Sequence, residues 1–139
     1  MSKPITGGSM CGAVRYEISA EPAMAGHCHC RACQHAGGAG GSSALAVPTE
    51  ALKITGEVKY FGSPADSGHT SNRGFCPTCG SPLVGQSTGM EGITTVAVGS
   101  LDDAAMFKPT MDIFTESAQP WDHMDPDLAK FPGMPEMPE

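Results

Sequence analysis

Short stretches of alternating apolar and polar residues recur along the chain and predict β-strands. In residues 13–18, Val14, Tyr16 and Ile18 fall on one side of an extended segment and the charged residues fall on the other. This alternation is typical of a half-buried strand. Further short apolar or alternating segments occur at residues 44–47, 52–54, 58–61, 83–84, 93–98 and 111–115.

Glycine, proline and small polar residues separate these segments and predict turns. We expect a Gly-rich turn at residues 34–43, a loop at 64–72, one helical turn at 101–106 and a loose tail at 132–139. No segment of 12 or more residues keeps a clean helical period. The pattern therefore predicts an all-β fold, with residues 1–139 forming a single domain.

Composition adds a reason to look for bound metal. The chain has 139 residues, of which 40% are hydrophobic but only 6% are aromatic, with a single Trp. We expect that residue, Trp121, to pack in the core. Because large core side chains are scarce, bound metal is a plausible source of additional stability.

The charge of the chain excludes several classes of partner. Eight Lys+Arg against 15 Asp+Glu give a formal net charge of −7, which disfavours nucleic acid and anionic membranes. No apolar run approaches the ~18 residues that a membrane span needs, and the first residues lack the apolar core of a secretory signal. We therefore expect a cytoplasmic protein whose thiols stay reduced.

The pair Cys76-x-x-Cys79 followed by Gly80 is typical of a zinc knuckle. A tight turn lets both sulfurs face one ion, and glycine supplies the backbone freedom that the turn needs. A redox pair has the same spacing, but the surroundings lack the strand–helix alternation of a thioredoxin-like fold. A zinc site normally takes four ligands, and Cys11 is the obvious candidate to join the pair.

The segment Cys28-x-Cys30-x-x-Cys33 is a more specific signal. Thiolates this close repel one another unless a cation neutralises them. Three protein ligands leave one tetrahedral position for water or substrate, as in catalytic zinc sites. Alternatively, His27 or His29 fills that position and closes the site, and the spacing alone leaves both alternatives open.

Five blocks of the sequence, in order, resemble a known family. The five blocks are Gly7-Gly-Ser-Met-Cys-Gly-Ala-Val-Arg-Tyr16, Cys28-His-Cys-Arg-Ala-Cys33, Arg73-Gly-Phe-Cys-Pro-Thr-Cys-Gly-Ser-Pro-Leu83, Gly99-Ser-Leu-Asp-Asp103 and Ile113-Phe-Thr-Glu-Ser-Ala-Gln-Pro-Trp121. On these blocks the chain is similar to the glutathione-dependent formaldehyde-activating enzymes, a family that also includes centromere protein V. The resemblance implies a β-tent fold of two small antiparallel sheets, and carbon–sulfur bond formation or cleavage.

The resemblance also implies one or two zinc ions. A catalytic zinc would take Cys28, Cys30 and Cys33, and a structural zinc would take Cys11, Cys76, Cys79 and one more cysteine from the opening block. Where the family has that cysteine, this chain has Ser9. A neutral hydroxyl is a far poorer zinc ligand than a thiolate. The second site is therefore expected to borrow water, His69 or His123, to bind zinc weakly, or to stand empty.

Our functional hypothesis is a zinc-dependent carbon–sulfur lyase acting on an adduct of a small aldehyde with glutathione or a similar thiol. Zinc would either hold the thiol as a nucleophilic thiolate or polarise the aldehyde oxygen, and the sequence does not choose between them. Arg31 and Arg73, next to the cysteine clusters, are candidates to bind the two carboxylates of glutathione. His29 is a candidate general base, and residues 37–41 could let a peptide-like substrate approach the backbone.

The alternative function is a non-catalytic, zinc-stabilised binding module. A methionine sulfoxide reductase would need a reactive cysteine outside the metal set, and no cysteine follows Cys79. A chromatin role conflicts with the acidic charge and the lack of a basic extension. The sequence does not determine the oligomeric state.

Overall fold

The protein is built from many short strands in two sheets and one short α-helix. The computed structural model describes residues 3–65 and 67–135. Within those residues the strands are β1 (Ile5–Gly8), β2 (Arg15–Ile18), β3 (Met24–Cys28), β4 (Ser42–Pro48), β5 (Leu52–Thr55), β6 (Lys59–Pro64), β7 (Thr70–Phe75), β8 (Pro82–Ser87), β9 (Ile93–Ala97), β10 (Met111–Ile113) and β11 (Ala129–Lys130). The helix α1 spans Arg31–Gly37, and 3-10 turns lie at Thr49–Ala51, Val98–Ser100, Ala104–Met106 and Thr115–Ser117. The predicted all-β class is thus confirmed.

The two sheets differ in size. One has three strands in the order β1-β2-β5, and the other has eight in the order β11-β10-β3-β4-β9-β8-β7-β6. Most neighbours are antiparallel, but β10 pairs in parallel with both β3 and β11. This arrangement places β3, which carries the first cysteine of the central cluster, between β4 and β10.

The core lies between the sheets and uses the side chains that the alternation predicted to point inward. Val14, Tyr16 and Ile18 are all buried, together with the inward residues of β4, β8 and β9. The complete buried cluster comprises Ile5, Val14, Tyr16, Ile18, Leu45, Val47, Cys76, Leu83, Val84, Val96, Val98 and Leu101. Aliphatic residues dominate it, as the low aromatic content implied.

Trp121 does not belong to this core. Its exposed fraction is 61%, so the prediction that it packs inside was wrong. Trp121 instead borders a groove beside α1, which is described below.

The predicted Gly-rich turn was partly wrong, because its first residues belong to α1. The helix begins after Cys30, whose sulfur accepts a hydrogen bond from the Cys33 N–H as an N-cap. It ends at Gly38, which adopts the left-handed conformation at φ 78° that glycine accommodates without strain. With only seven residues, α1 is too short to show a helical period in the sequence.

Strand boundaries also differ from the prediction at several points. The structure adds β1, β3, β7 and β11. These strands were not predicted because glycine, histidine or polar residues interrupt the apolar alternation in them. The predicted loop at 64–72 is shorter, since β6 continues to Pro64 and β7 begins at Thr70. The predicted helical turn at 101–106 is reduced to the 3-10 turn Ala104–Met106.

The alternating segment at residues 111–115 contains β10, and the buried side chain of that strand is a carboxylate. Asp112 is the buried residue of β10, with 1% exposure, while its apolar neighbours are only half-buried. Of the predicted tail, Pro132 and Gly133 accept backbone hydrogen bonds from Glu116 and Phe114, and residues 136–139 lie outside the described residues. In the described part of the chain, no helix has the length and apolar character required to cross a membrane.

Candidate metal centre

Two separate groups of three cysteines converge in the structure. Cys28, Cys30 and Cys33 form the first group, here called the central triad, and their sulfur atoms all lie within 4.8 Å of one another. Cys28 ends β3, Cys30 caps α1, and Cys33 lies in the first turn of that helix. The three cysteines are close in sequence, and their sulfurs converge because the chain passes from the end of a strand directly into a helical turn.

Hydrogen bonds among the thiols of the central triad shift their pKa values in opposite directions. Hydrogen bonds with Cys30 and Cys33, followed by burial, raise the pKa of Cys28. Hydrogen bonds from Cys28 and Cys30 lower the pKa of Cys33 well below its usual range. The three thiols titrate as one coupled set: a first thiolate is stabilised by hydrogen bonds from its neighbours, and further deprotonation is opposed by repulsion that a cation would relieve. Three convergent soft donors could hold a metal ion.

Gly41, the residue just before β4, lies too close to the backbone of Cys28 to carry a side chain. A Cβ built on Gly41 would lie 2.1 Å from the backbone oxygen of Cys28. Ser42, the residue after Gly41, is paired with Cys28 in the antiparallel ladder of β3 and β4. This close approach gives the Gly-rich segment a structural role: it keeps the end of β3 in place.

The two predicted arginines have different surroundings. Arg73, on β7, places its Nη2 atom 3.8 Å from the sulfur of Cys33. Arg31 instead donates to the side chain of Gln34 and lies 3.4 Å from the His35 ring nitrogen. Neither forms a salt bridge among the described residues. The structure therefore brings Arg73, and not the Arg31 side chain, against the sulfur atoms.

Both histidines that flank Cys28 are bonded elsewhere. His27 Nδ1 lies 2.7 Å from the Ser43 hydroxyl. His29 Nδ1 and Nε2 lie 2.6 Å and 2.8 Å from carboxylate oxygens of Asp122 and Asp112. Neither histidine joins the cysteine group in the described part of the chain. The alternative of a site closed by His27 or His29 is therefore disfavoured by the geometry.

The network around His29 was not foreseen from the sequence. Burial lowers the pKa of His29, but the hydrogen bonds to Asp112 and Asp122 outweigh it and raise that pKa overall. Asp112 shows the converse: burial raises its pKa, yet His29 and Lys130 lower it overall. Lys130 Nζ lies 2.9 Å from the second Asp112 oxygen as an ion pair. Because these groups hold the imidazole as a hydrogen-bonded cation, the predicted general-base role of His29 has little geometric support.

The second group, here called the outer triad, consists of Cys11, Cys76 and Cys79. Their sulfur atoms also lie within 4.8 Å of one another, and those of Cys11 and Cys76 are 3.6 Å apart. Cys76 is fully buried and belongs to the core, whereas Cys11 and Cys79 are exposed. This triad could also hold a metal ion, and it would then tie the β1–β2 connection to the β7–β8 connection.

Hydroxyl groups surround the outer triad. Ser9 Oγ lies 3.5 Å from the Cys11 sulfur, and Ser81 Oγ lies 3.1 Å from the Cys79 sulfur. The Ser81 contact is the main reason that the pKa of Cys79 falls to about 6. Among the described residues, no further His, Cys, Asp or Glu joins this triad.

The histidines suggested as substitute ligands lie elsewhere. His69 packs against Gly89 and lies 3.5 Å from the Thr88 hydroxyl. His123 lines a cavity of about 260 Å³ together with His27 and His29. The spacing of His69 and His123 along the sequence could not exclude them as ligands of the outer triad, because only the folded chain shows which loops lie next to it.

A second, shallower groove of about 560 Å³ lies beside α1. Its lining includes Arg31, Gln34, His35, Gln119 and Trp121. Gln119 Nε2 donates to Gln34 Oε1 at 3.0 Å, so two hydrogen-bonded side-chain amides line the groove. A cation, amide donors and an exposed aromatic ring are suited to an anionic ligand with some apolar surface.

Comparison with known proteins adds family information to this geometry. The family model described as "Glutathione-dependent formaldehyde-activating enzyme" matches residues 4–117. The fold resembles the crystal structure of a Rhodobacter sphaeroides protein, a Northeast Structural Genomics target, with a TM-score of 0.56 and 23% sequence identity. That likeness covers 70% of this chain and 87% of the other. The comparison with curated proteins produced no match.

Proposed function

The chain belongs to the family of glutathione-dependent formaldehyde-activating enzymes, and from this premise we propose that it is a zinc-dependent carbon–sulfur lyase. Its substrate would be the adduct of a small aldehyde with glutathione or a similar thiol. In the adduct-forming direction, the sulfur–carbon bond forms as the carbonyl π bond opens, and the thiol proton ends on the former carbonyl oxygen. Cleavage reverses these changes.

The observation that supports this proposal most is that, among the described residues, no fourth His, Cys, Asp or Glu joins the central triad. Cys28, Cys30 and Cys33 converge, while His27 and His29 are held by Ser43 and by two aspartates. Three protein ligands with a free fourth position are typical of catalytic zinc sites. Bound there, zinc would supply the Lewis acidity that keeps an incoming thiol deprotonated near neutral pH.

The charges around the triad suit an anionic thiol. Arg73 adds a positive charge 3.8 Å from the Cys33 sulfur. We assign it the role of stabilising thiolates at the triad and orienting the incoming one. Arg31, in the groove with Trp121, is suited to bind a glutathione carboxylate that extends away from the reacting sulfur.

We also propose a cytoplasmic location, in addition to the bound zinc and the binding roles of Arg31 and Arg73. The location is supported by six unpaired cysteines, which a reducing compartment preserves. The competing function is a zinc-stabilised binding module without chemistry. It makes a different prediction, since its central metal would not respond to added thiol.

The test compares two cysteine variants of the full chain. Zinc content is measured by mass spectrometry, and adduct formation from formaldehyde and glutathione by NMR, for wild type, Cys33→Ser and Cys79→Ser. We expect Cys33→Ser to lose the central ion and to form adduct only at the uncatalysed rate. Cys79→Ser should lose the outer ion and retain catalysis.

Two outcomes would overturn the proposal. The first is a zinc-loaded wild type that accelerates neither formation nor cleavage of the adduct with any small thiol. The second is full activity in Cys33→Ser. X-ray absorption with and without glutathione adds a direct readout, because the binding-module alternative predicts an unchanged sulfur count around the ions.

A further inference from the structure

The hydroxyl group of Ser9 lies beside the three sulfurs of the outer triad. Ser9 Oγ lies 3.5 Å from the Cys11 sulfur, and the Cys11 and Cys76 sulfurs are 3.6 Å apart. A tetrahedral ion with sulfur ligands at about 2.3 Å and an oxygen ligand at about 2.1 Å needs S···S edges of about 3.8 Å and S···O edges of about 3.6 Å. The observed separations match those edges.

The hydrogen bonds of Ser9 leave its oxygen available for such a role. The Val14 N–H donates to Ser9 Oγ at 3.1 Å, which uses one of the two acceptor positions of the hydroxyl. When Cys11 is a thiolate it cannot donate to Ser9, so the second acceptor position can then face an ion. Ser9 is itself buried, with 7% exposure, and a backbone hydrogen bond from Ser9 N–H to Val14 O at 3.0 Å fixes the residue. Its position is therefore determined by the fold.

We propose that the outer triad is an exchangeable metal site, in which Ser9 Oγ is the fourth and weakest ligand of a thiophilic divalent ion. A neutral hydroxyl contributes much less binding energy to such an ion than a thiolate does. The exposed positions of Cys11 and Cys79 give a chelator direct access. The protein thus contains two metal sites with different lability, and only the central one carries the proposed chemistry.

The test measures the rate and not only the amount of metal release. Zinc-loaded protein, kept reduced with a phosphine, is mixed with a chromophoric chelator, and release is followed by absorbance. We expect a fast phase of one ion per chain in wild type and in Cys33→Ser, and its disappearance in Cys79→Ser. Ser9→Cys should slow that phase at least about tenfold, because even groups that only hydrogen-bond to ligands change metal affinity about 10–100-fold.

Cobalt substitution reports the ligand set independently of activity. In Ser9→Cys, the sulfur-to-cobalt charge-transfer absorption should rise in proportion to seven thiolates instead of six. Ser9→Ala serves as the second variant if Ser9→Cys folds poorly, and it should change the ligand-field bands and accelerate the fast phase.

The proposal is overturned by any of three results. One is a wild type with no fast phase, and another is a fast phase that persists in Cys79→Ser. The third is a Ser9→Ala variant whose cobalt spectrum and release rate equal those of wild type. All three can be recognised even in a protein without lyase activity, so they are distinguishable from failure of the proposed function.

Discussion

The guanidinium of Arg73 lies 3.8 Å from the sulfur of Cys33, although 40 residues separate them in the sequence. Arg73 lies on β7 of the eight-stranded sheet and Cys33 lies on α1, the helix that follows β3. The contact joins a sulfur of the central triad to a cation that forms no salt bridge among the described residues. It is the strongest structural reason to assign one of the two arginines to this triad.

Replacing Arg73 by alanine should reduce catalysis more than it reduces stability. A hydrogen bond to a charged group contributes about 1.5–3 kcal/mol, so we expect kcat/KM with glutathione and formaldehyde to fall about 10–100-fold. Lys53→Ala is the matched control, since it removes an exposed cation from the three-stranded sheet. An equal loss in both variants would point to overall charge and contradict a local role.

Gly41→Ala should disturb the central triad without touching a cysteine. Its Cβ would lie 2.1 Å from the Cys28 backbone oxygen, so β3 and β4 must separate at the ligand position. We expect zinc content to fall by about one ion per chain and adduct formation to be lost. Gly99→Ala, where a Cβ meets no atom within 4 Å, is the control and should resemble wild type. Full zinc content in Gly41→Ala would contradict the expected clash.

Asp112→Asn should destabilise the fold through His29 and Lys130. Removing one member of a buried ion pair leaves the remaining charges uncompensated, which costs about 3–5 kcal/mol. The measurement is the free energy of unfolding in urea for the zinc-loaded proteins. Asp103→Asn changes an exposed carboxylate and should stay within about 0.5 kcal/mol of wild type. A similarly small effect in Asp112→Asn would show that the network contributes little to stability.

Glutathione binding should change the fluorescence of Trp121. This is the only tryptophan in the chain, it is largely exposed, and it borders the groove that contains Arg31. We expect a saturable change with glutathione and a dissociation constant about tenfold higher in Arg31→Ala, through loss of a charge-assisted hydrogen bond. Lys59→Ala, on exposed β6, should bind as wild type does. If glutathione leaves the fluorescence unchanged, the groove is not part of the thiol site.

Local patterns predicted the parts of the structure that depend on neighbouring residues. The alternation of Val14, Tyr16 and Ile18 located β2 and its buried face, and the spacing of the cysteines foretold which sulfurs would converge. For β2 and for the central triad, a few consecutive residues and their backbone conformation determine the outcome, whereas Cys11 meets Cys76 and Cys79 only through the tertiary structure. Where a short element lacked such a pattern, as in α1, the prediction failed.

Residue identity and short spacing establish the thiol-rich donor chemistry of this protein, the convergence of Cys28, Cys30 and Cys33, and an aliphatic core. The long-range packing of the chain sets which partners these groups meet, and it brings Cys11 to Cys76 and Cys79. It selected Arg73 over Arg31, held His29 between Asp112 and Asp122 from 83 and 93 residues away, and left Trp121 exposed. The physical reason is that ligand type follows from residue identity and short spacing, whereas charge partners and burial depend on strands that pair across long stretches of chain.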